Sequence, residues 1–212
     1  MKRLAIIGAS GHGKAVADAA ERSDWAEILF FDDGIAVGTP IGGRTVEGTT
    51  ADLLVRGSDF DGVIVAVGDN DVRLRVQTRV ARAGLVIATI IHPSAVVSRS
   101  VVIGEGSVVL AGAVLNPGAR LGIACIVNTC ASVDHECVLG DAVHVSPGAH
   151  LGGDVQVGEA SHIGIGAAVK QCVRIGAHAM VGVGAAVVTD VADGLTVVGV
   201  PARAALPKGA TA

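Results

Sequence analysis

The sequence predicts a small parallel α/β domain over residues 1–90, followed by a parallel β-helix over residues 91–212. In the first 90 residues, strand-like apolar runs alternate with helical stretches, as is typical of a parallel sheet covered by helices. From Ile91 onward the chain keeps a six-residue period without an insertion, and aromatic residues make up only 2% of the protein. A narrow interior of small and branched aliphatic side chains explains the period and the scarcity of aromatics together.

Composition and charge exclude several classes of protein. The chain has 212 residues, of which 50% are hydrophobic and 17% charged, so it can bury enough apolar surface to fold. A net charge of −4 without a basic run argues against nucleic-acid binding. No apolar run approaches the ~18 residues of a membrane span, and the one after Lys2-Arg3 is too short for a signal peptide. Four cysteines without metal-ligand spacing fit a reducing compartment, so we expect a cytoplasmic protein.

The α/β domain is predicted from four apolar runs and two helical stretches. The runs are Leu4–Ile7, Ile28–Phe31, Val63–Val67 and Val86–Ile90, and the helical stretches are Lys14–Arg22 and Val72–Ala83. In parallel α/β sheets, ligands bind at the carboxyl ends of the strands. Polar or glycine-rich clusters follow three of the runs, at 8–13, 32–33 and 68–70.

The first of these clusters has two interpretations. A glycine-rich turn before a helix can offer backbone amides to a phosphate, and Asp32 lies about 20 residues later, where a ribose-binding acid would stand. However, Gly8, Gly11 and Gly13 reverse the usual spacing of a dinucleotide fingerprint. A tight strand-to-helix turn explains the glycines equally well.

The β-helix is predicted from the hexads. Position one is Ile, Leu or Val in all 17 hexads from Ile91 to Val187, and position five is always small or Val. A second period of three hexads places Gly104, Gly122, Gly140, Gly158 and Gly176 in one column, where glycine relieves backbone crowding between stacked coils. Cys125 and Cys137 occupy position five, so we expect them to be small packed side chains.

Five histidines lie in the repeat, and none takes an inward position. His144 and His162 are three hexads apart, which is one full coil, so we expect them to stack. His135 stands between Asp134 and Glu136, and a neighbouring carboxylate can orient an imidazole and raise its basicity. A metal site made by histidines at a subunit boundary is the weaker alternative, and no metal is expected.

The chain resembles the hexapeptide-repeat acyltransferases, and more narrowly the family of bacterial nucleotide-sugar N-acetyltransferases and sialic acid O-acetyltransferases. The resemblance covers nearly the whole chain, and the order of its motifs is highly specific. The motifs are Gly8–Gly13, Phe31–Asp33, Val65–Asn70, His92–Ala95, Asn128–Glu136, His144–Ala149 and Gly199–Arg203.

The resemblance implies a Rossmann-like N-terminal domain that holds a nucleotide-linked sugar, and a left-handed β-helix. It also implies a homotrimer with acetyl-CoA in clefts between subunits. His135 matches the catalytic base, Glu136 its carboxylate partner and Asn128 a polar active-site residue. Residues that match sugar-nucleotide contacts are Ser10, Gly11, His12, Asp32, Asp33 and Gly68. Residues that match acetyl-CoA contacts are His144, Ile165 and Val183, the last standing where some relatives have glycine.

The expected activity is therefore acetyl-CoA-dependent N-acetylation of a nucleotide-linked amino sugar, of the 4-amino-4,6-dideoxy type, with direct transfer assisted by His135. The first alternative is O-acetylation of a sugar of the sialic acid type. A zinc hydro-lyase on the same helix, a non-catalytic scaffold and a nicotinamide-dependent enzyme are weaker alternatives. The sequence leaves open the sugar, its nucleotide, the pathway and the role of Ile35–Phe60.

Overall fold

The computed structural model describes residues 2–205, and the predicted C-terminal tail beyond residue 205 lies outside this range. The N-terminal domain is a five-stranded sheet of order β3-β4-β2-β1-β5, parallel except for the β3–β4 pair. Its strands are β1 Lys2–Ile7, β2 Trp25–Phe31, β3 Pro40–Ile41, β4 Arg44–Gly48 and β5 Gly62–Val65. Its helices are α1 Gly11–Glu21, α2 Thr50–Val55 and α3 Asn70–Arg82, with a 3₁₀ turn over Gly57–Asp59.

The alternation of side chains along β1 builds two cores. Leu4 and Ile6 face α1, and this core continues onto Val108 and Leu110 of the β-helix. Ala5 and Ile7 face the opposite side of the sheet, where α2 and α3 cover them. Because successive strand residues point to opposite faces, one apolar run serves both layers. The α1 side of the domain is therefore fused to the β-helix by a shared apolar core.

The second part is the predicted left-handed parallel β-helix, whose strands lie in three sheets. The first sheet contains β7 Val96–Val97, β10 Val114–Leu115, β13 Ser132–Val133, β16 His150–Leu151, β19 Ala168–Val169 and β22 Ala186–Val187. The second contains β8 Val102–Ile103, β11 Arg120–Leu121, β14 Val138–Leu139, β17 Gln156–Val157 and β20 Arg174–Ile175. The third, which we call the domain-facing sheet, contains β6 Ile90–Ile91, β9 Val108–Val109, β12 Ile126–Val127, β15 His144–Val145, β18 His162–Ile163, β21 Met180–Val181, β23 Thr196–Val198 and β24 Arg203–Ala204.

The hexad pattern correctly predicts the interior. Position-one residues from Val109 to Val187 are buried, and the position-five residues of the same coils pack with them. Cys125 and Cys137 belong to this interior, and their thiols donate to the carbonyls of Gly140 and Gly152. Burial raises the pKa of the Cys125 thiol to about 12, so it remains protonated.

Sharp corners between the sheets depend on the left-handed backbone conformation. Eight of the nine non-glycine residues with positive φ lie at these corners, among them Ala124, Ala142 and Ala160. The glycine column has the predicted role, because a Cβ on Gly158 would overlap the backbone nitrogen of Ala177 in the next coil. Bare α-carbons thus allow the coils to stack closely at that corner.

Some local expectations differ from the structure. The run 86–90 forms no strand beyond a bridge between Val63 and Ile87, and Ile90 already pairs with Val108 of the β-helix. The segment Ile35–Phe60, which the sequence left unassigned, forms the β3–β4 hairpin, α2 and the 3₁₀ turn. Within residues 2–205, no helix has the length and apolarity needed to span a membrane.

Candidate active site

The glycine-rich turn after β1 serves packing at two of its three glycines. Gly8 has φ +106°, and a Cβ there would lie 2.7 Å from the carbonyl oxygen of Ala66. A Cβ on Gly13 would overlap the carbonyl oxygen of Gly8. Gly11 is different, because nothing lies within 4 Å of its would-be Cβ. The tight turn therefore explains Gly8 and Gly13, and leaves Gly11 facing open space.

The N-terminus of α1 opens into that space. Ser10 occupies the N-cap position in an extended conformation, but its side chain accepts no hydrogen bond from the helix. The first amides of a helix have no partner within the helix and favour negative charge. An exposed Ser10, an exposed Gly11 and an uncapped helix start together form a place for an anionic group such as a phosphate.

Asp32 and Asp33 are held by backbone amides. One carboxylate oxygen of Asp32 accepts from Ala9 N at 2.8 Å, and the other accepts from Gly34 N and Ile35 N at 2.8 and 2.9 Å. Asp33 accepts from Thr50 N at the start of α2, at 2.7 Å. Asp32 thus ties the glycine-rich turn to the loop after β2, so it shapes the edge of the sheet whether or not it also meets a ribose.

Three histidines line up where the two domains meet, and we call His12, His144 and His162 the histidine row. The His12 and His144 ring centroids are 6.4 Å apart, and those of His144 and His162 are 4.6 Å apart. The second pair is the predicted stack, with His144 opposite His162 in register. His162 Nε2 in turn lies 2.8 Å from Ser146 Oγ. The edge of the α/β sheet that carries Ser10–His12 therefore faces β15 and β18.

Burial keeps these three rings neutral. Desolvation first, and the Arg73 charge second, lower the pKa of His12 to about 4. Desolvation, His162, Arg73 and His12, in that order, lower the pKa of His144 to about 3. Desolvation and Arg73 also lower the pKa of His162. At neutral pH the row offers uncharged imidazoles that can donate or accept, and no cation.

Asn128 fixes the tautomer of His144. The Asn128 side-chain oxygen accepts from Thr129 N at 2.8 Å, so its nitrogen, 3.2 Å from His144 Nε2, is left as the donor. Nε2 then accepts, and the proton of the neutral ring resides on Nδ1. Nδ1 of His144 and Nε2 of His12 are buried and have no partner within residues 2–205. Buried polar atoms are costly when unpaired, so these two ring nitrogens mark a candidate position for a polar ligand.

His135 and Glu136 lie elsewhere on the same chain. Both are exposed and stand at the corner between β13 and β14, whereas Asn128 directly follows β12 of the domain-facing sheet and His144 lies in β15. The His135 ring lies against Gly153 of the following coil, and the Glu136 carboxylate lies against Gly118 of the preceding coil. The carboxylate that is hydrogen-bonded in this turn belongs to Asp134, which accepts from His135 N at 2.7 Å and from Asn116 Nδ2 at 2.9 Å.

Ile165 and Val183 stack at the corner that follows the domain-facing sheet, with 54% and 76% of their surfaces exposed. This corner also carries Gly148, Gly166 and Gly184, whose φ values are 63–65° and whose would-be Cβ atoms meet nothing within 4 Å. At this corner the glycines therefore leave the backbone uncovered by side chains on successive coils, beside the exposed side chains of Ile165 and Val183.

The sequence analysis did not anticipate that three polar side chains of α3 dock at this boundary, although Asn70 belongs to the polar cluster 68–70. The side chains are Asn70, Arg73 and Gln77, and all three are buried although they are polar or charged. They share one helical face at spacings of three and four residues. Their uninterrupted polar stripe, next to the apolar stripe of Val72, Val76 and Val80, is the signal that could have revealed a polar docking face.

Comparison with known proteins adds independent information. The family model "PglD N-terminal domain" matches residues 3–80. A UDP-N-acetylbacillosamine N-acetyltransferase from Bacillus subtilis is 38% identical over 121 residues, which is 52% of each protein, so this alignment spans about half of that relative.

Solved structures match nearly the whole chain. The acetyltransferase domain of PglB from Neisseria gonorrhoeae, in complex with acetyl coenzyme A, is 45% identical with a TM-score of 0.92, covering 96% of this chain and 99% of that one. A histidine-to-alanine variant of GDP-perosamine N-acetyltransferase from Caulobacter crescentus, in complex with CoA and GDP-perosamine, is 36% identical with a TM-score of 0.93, covering 98% of each chain.

Proposed function

This chain belongs to the family of bacterial nucleotide-sugar N-acetyltransferases, and from that premise we propose that it transfers the acetyl group of acetyl-CoA to the amino group of a nucleotide-linked amino sugar. The observation that carries the proposal is the meeting of three features at one boundary: an uncapped helix start, two buried histidine nitrogens without a partner within residues 2–205, and a corner where glycines leave the backbone uncovered. The acceptor is of the 4-amino-4,6-dideoxy type.

The acceptor nucleotide is assigned to the edge of the α/β sheet. A diphosphate is an anion that the first amides of α1 favour, with Ser10, Gly11 and His12 around it. Gly68, with open space around its would-be Cβ, borders the same edge. Asp33 and Asp32 stand at the end of the neighbouring strand, where a ribose or base would extend.

Acetyl-CoA is the co-substrate, and we assign its pantetheine arm to the corner of Ile165 and Val183, which a neighbouring subunit would close into a groove. Both residues would bond through their backbone, so the change from glycine to valine at 183 narrows the groove without removing a contact. The arm would lead toward His144 and Asn128, which flank the thioester. No metal takes part in this proposal.

The general base is His135, supplied by a neighbouring chain of a homotrimer. In one chain His135 stands at a different corner from the histidine row, so a second copy is needed to bring it to the acceptor. A cyclic assembly repeats the same contact at each boundary. Glu136, which lies against Gly118 in the single chain, would orient His135 only in the assembled protein.

The chemistry is a direct transfer with both substrates bound. The acceptor nitrogen attacks the thioester carbonyl carbon, and His135 takes a proton from that nitrogen. The C–S bond then breaks, and the CoA sulfur leaves with its electron pair and takes up the proton that His135 removed from the nitrogen. The neutral His144, with its proton on Nδ1, can donate to the oxyanion as it forms. Proximity of the two substrates supplies much of the rate.

The first test is thiol release from acetyl-CoA over a panel of acceptors: UDP-, GDP- and dTDP-linked 4-amino sugars, and free sialic acid. Release with one amino-sugar nucleotide, depending on His135, is the expected result. Release with sialic acid alone would replace N-acetylation by O-acetylation. Silence over the whole panel would contradict the proposal.

The second test concerns the shared site. Trimers are reassembled from an equal mixture of His135→Ala chains and chains with an inactive glycine-rich turn, such as Gly11→Asp. If each site takes His135 from one chain and the glycine-rich turn from another, about one site in four regains both parts and activity returns. No recovery after mixing would place the complete site within one chain.

A further inference from the structure

Arg73 on α3 is fully buried, and its guanidinium makes five hydrogen bonds. Four of them go to backbone carbonyls and one to the side-chain oxygen of Asn70. Within the described part of the chain no carboxylate pairs with it. A buried charge without a counter-ion is costly, so the position of these acceptors needs an explanation beyond packing.

The carbonyls come from both domains. Nη1 donates to Val67 and Gly68, in the loop after β5, at 3.0 and 3.2 Å. Nε donates to Ala124 and Nη2 to Ala142, at two successive coils of the β-helix, both at 2.8 Å. The planar guanidinium of Arg73 therefore joins the loop of Val67 and Gly68, which we call the acceptor loop, to two stacked corners of the β-helix.

Those two corners lead directly into the histidine row. Ala124 is two residues before β12, which is followed by Asn128, and Ala142 is two residues before His144. The partner Asn70 continues the contact one coil further, since its side-chain nitrogen donates to the carbonyl of Ala160 at 2.9 Å. A rigid fork fixes distance and angle together, which a flexible ammonium cannot do.

We propose that Arg73 is a positioning residue for acetyl transfer: it holds the loop of Val67 and Gly68 at a fixed height over the coils that carry Asn128 and His144. This inference rests on the proposed function, because that loop is the one assigned to the acceptor nucleotide. Arg73 lies beneath the loop with all its nitrogens engaged, so it acts through Gly68 and His144. Its charge also disfavours protonation of the three histidines beside it.

Gln77 supplies a matched control. It lies one helical turn away on the same face of α3, is also buried, and donates to the carbonyl of Glu105 at 2.9 Å. Gln77 thus joins α3 to the same edge of the β-helix, but at a coil that precedes the coils of the histidine row. Gln77→Met removes one docking bond without touching the acceptor loop.

The kinetic test compares Arg73→Met, Arg73→Lys and Gln77→Met in the full-length protein. For Arg73→Met we expect kcat/KM for the nucleotide sugar to fall about 100-fold, because small misplacements of a substrate cost that much, while KM for acetyl-CoA stays within about twofold. Arg73→Lys is expected to restore little. Gln77→Met is expected to keep both constants near wild type. Equal losses in both methionine variants, or full rescue by lysine, would overturn the inference.

A second measurement needs no substrate. Hydrogen exchange is followed in residues 66–69 and, for comparison, around Glu105. Arg73→Met should speed exchange in the loop alone, and Gln77→Met near Glu105 alone. If the loop is unaffected by Arg73→Met or Arg73→Lys, the inference is wrong even if the enzyme is active. If the loop loosens but no panel acceptor is acetylated by wild type, the proposed function fails and the contact stands.

Discussion

His12 of the α/β domain and His144 of the β-helix face each other across the domain boundary, with ring centroids 6.4 Å apart and an interplanar angle of 36°. Each has one buried nitrogen without a partner within residues 2–205. Protonating either ring would put a cation beside the buried Arg73, which already lowers the pKa of both. The boundary is therefore compatible with neutral histidines only.

This arrangement predicts acid-sensitive stability. The folded-state pKa values of His12 and His144, about 4 and about 3, lie below the ~6.5 of an unfolded histidine. The unfolded state then binds more protons as pH falls from about 6.5 to about 4, so stability is full above this window and decreases through it, by up to about 2.7 kcal/mol per pH unit for two rings. Denaturant unfolding at several pH values measures the slope.

The control for acid sensitivity is a neutral replacement. In the double variant His12→Gln, His144→Gln the slope between pH 6.5 and pH 4 should become flatter. His150→Gln, a change at an exposed ring bonded to Ser132, should retain the wild-type slope. An unchanged slope in the double variant would show that other groups cause the acid sensitivity.

His135→Ala is expected to lower kcat by about 10²-fold to 10⁴-fold, the usual contribution of a general base. Because His135 is exposed and its ring lies on the surface against Gly153, the melting temperature should stay close to that of wild type. Thiol release from acetyl-CoA measures the loss, and His150→Ala, at another exposed histidine of the β-helix, is the control. Acetyl transfer at wild-type rate in His135→Ala would refute the assignment.

Asp32→Asn should destabilise the protein by about 1–3 kcal/mol, because an amide group cannot accept from all three backbone amides on two loops. At least one of those amides would face the asparagine NH₂. Asp33→Asn is the matched control, since one carbonyl oxygen suffices for its single bond to Thr50 N. Chemical denaturation compares the two variants, and equal stabilities would contradict a bracing role for Asp32.

Val183→Phe should raise KM for acetyl-CoA about tenfold, an effect worth about 1.4 kcal/mol, and leave KM for the nucleotide sugar unchanged. The larger side chain fills the groove beside Gly184, where the structure leaves open space. Val55→Phe, at the 87% exposed end of α2, is the control for added surface apolarity. A parallel rise in both KM values would mean that the groove does not hold the coenzyme.

The β-helix could be predicted because its structure depends only on the spacing of residues along the chain. Inward positions of every hexad follow from a period of six, and the stacking of His144 on His162 follows from their separation by three hexads. Both need only the regular rise from coil to coil. Most strands and helices of the α/β domain also follow from local sequence patterns. The exceptions are the run Val86–Ile90, which pairs with the α/β sheet only through a bridge at Ile87, and the segment Ile35–Phe60, whose β3 strand is only Pro40–Ile41.

The boundary between the domains was not predictable in the same way. That His12 reaches His144 depends on how α1 packs on Val108 and Leu110, a contact between segments far apart in the chain. Asp32 was expected to contact the sugar nucleotide, and its three hydrogen bonds from backbone amides depend on the course of two loops. Arg73 was overlooked because an arginine on a helix is usually exposed, and its acceptors are backbone carbonyls that leave no trace in the sequence.

Because every coil of the β-helix repeats the same structure, the repeat alone does not determine at which coils the α/β domain docks. The side chains of α3 determine this position. Each coil repeats the same corner, but the residues there read Gly106, Ala124, Ala142, Ala160 and His178 in turn, and a Cβ on Gly106 would overlap the amide of Gln77. The chain is therefore modular along one axis only. An extra coil inserted after the coil of His178 should leave the spacing between the acceptor loop and the histidine row intact. A coil of the same length inserted between Ala124 and Ala142 would separate the two coils to which Arg73 is hydrogen-bonded.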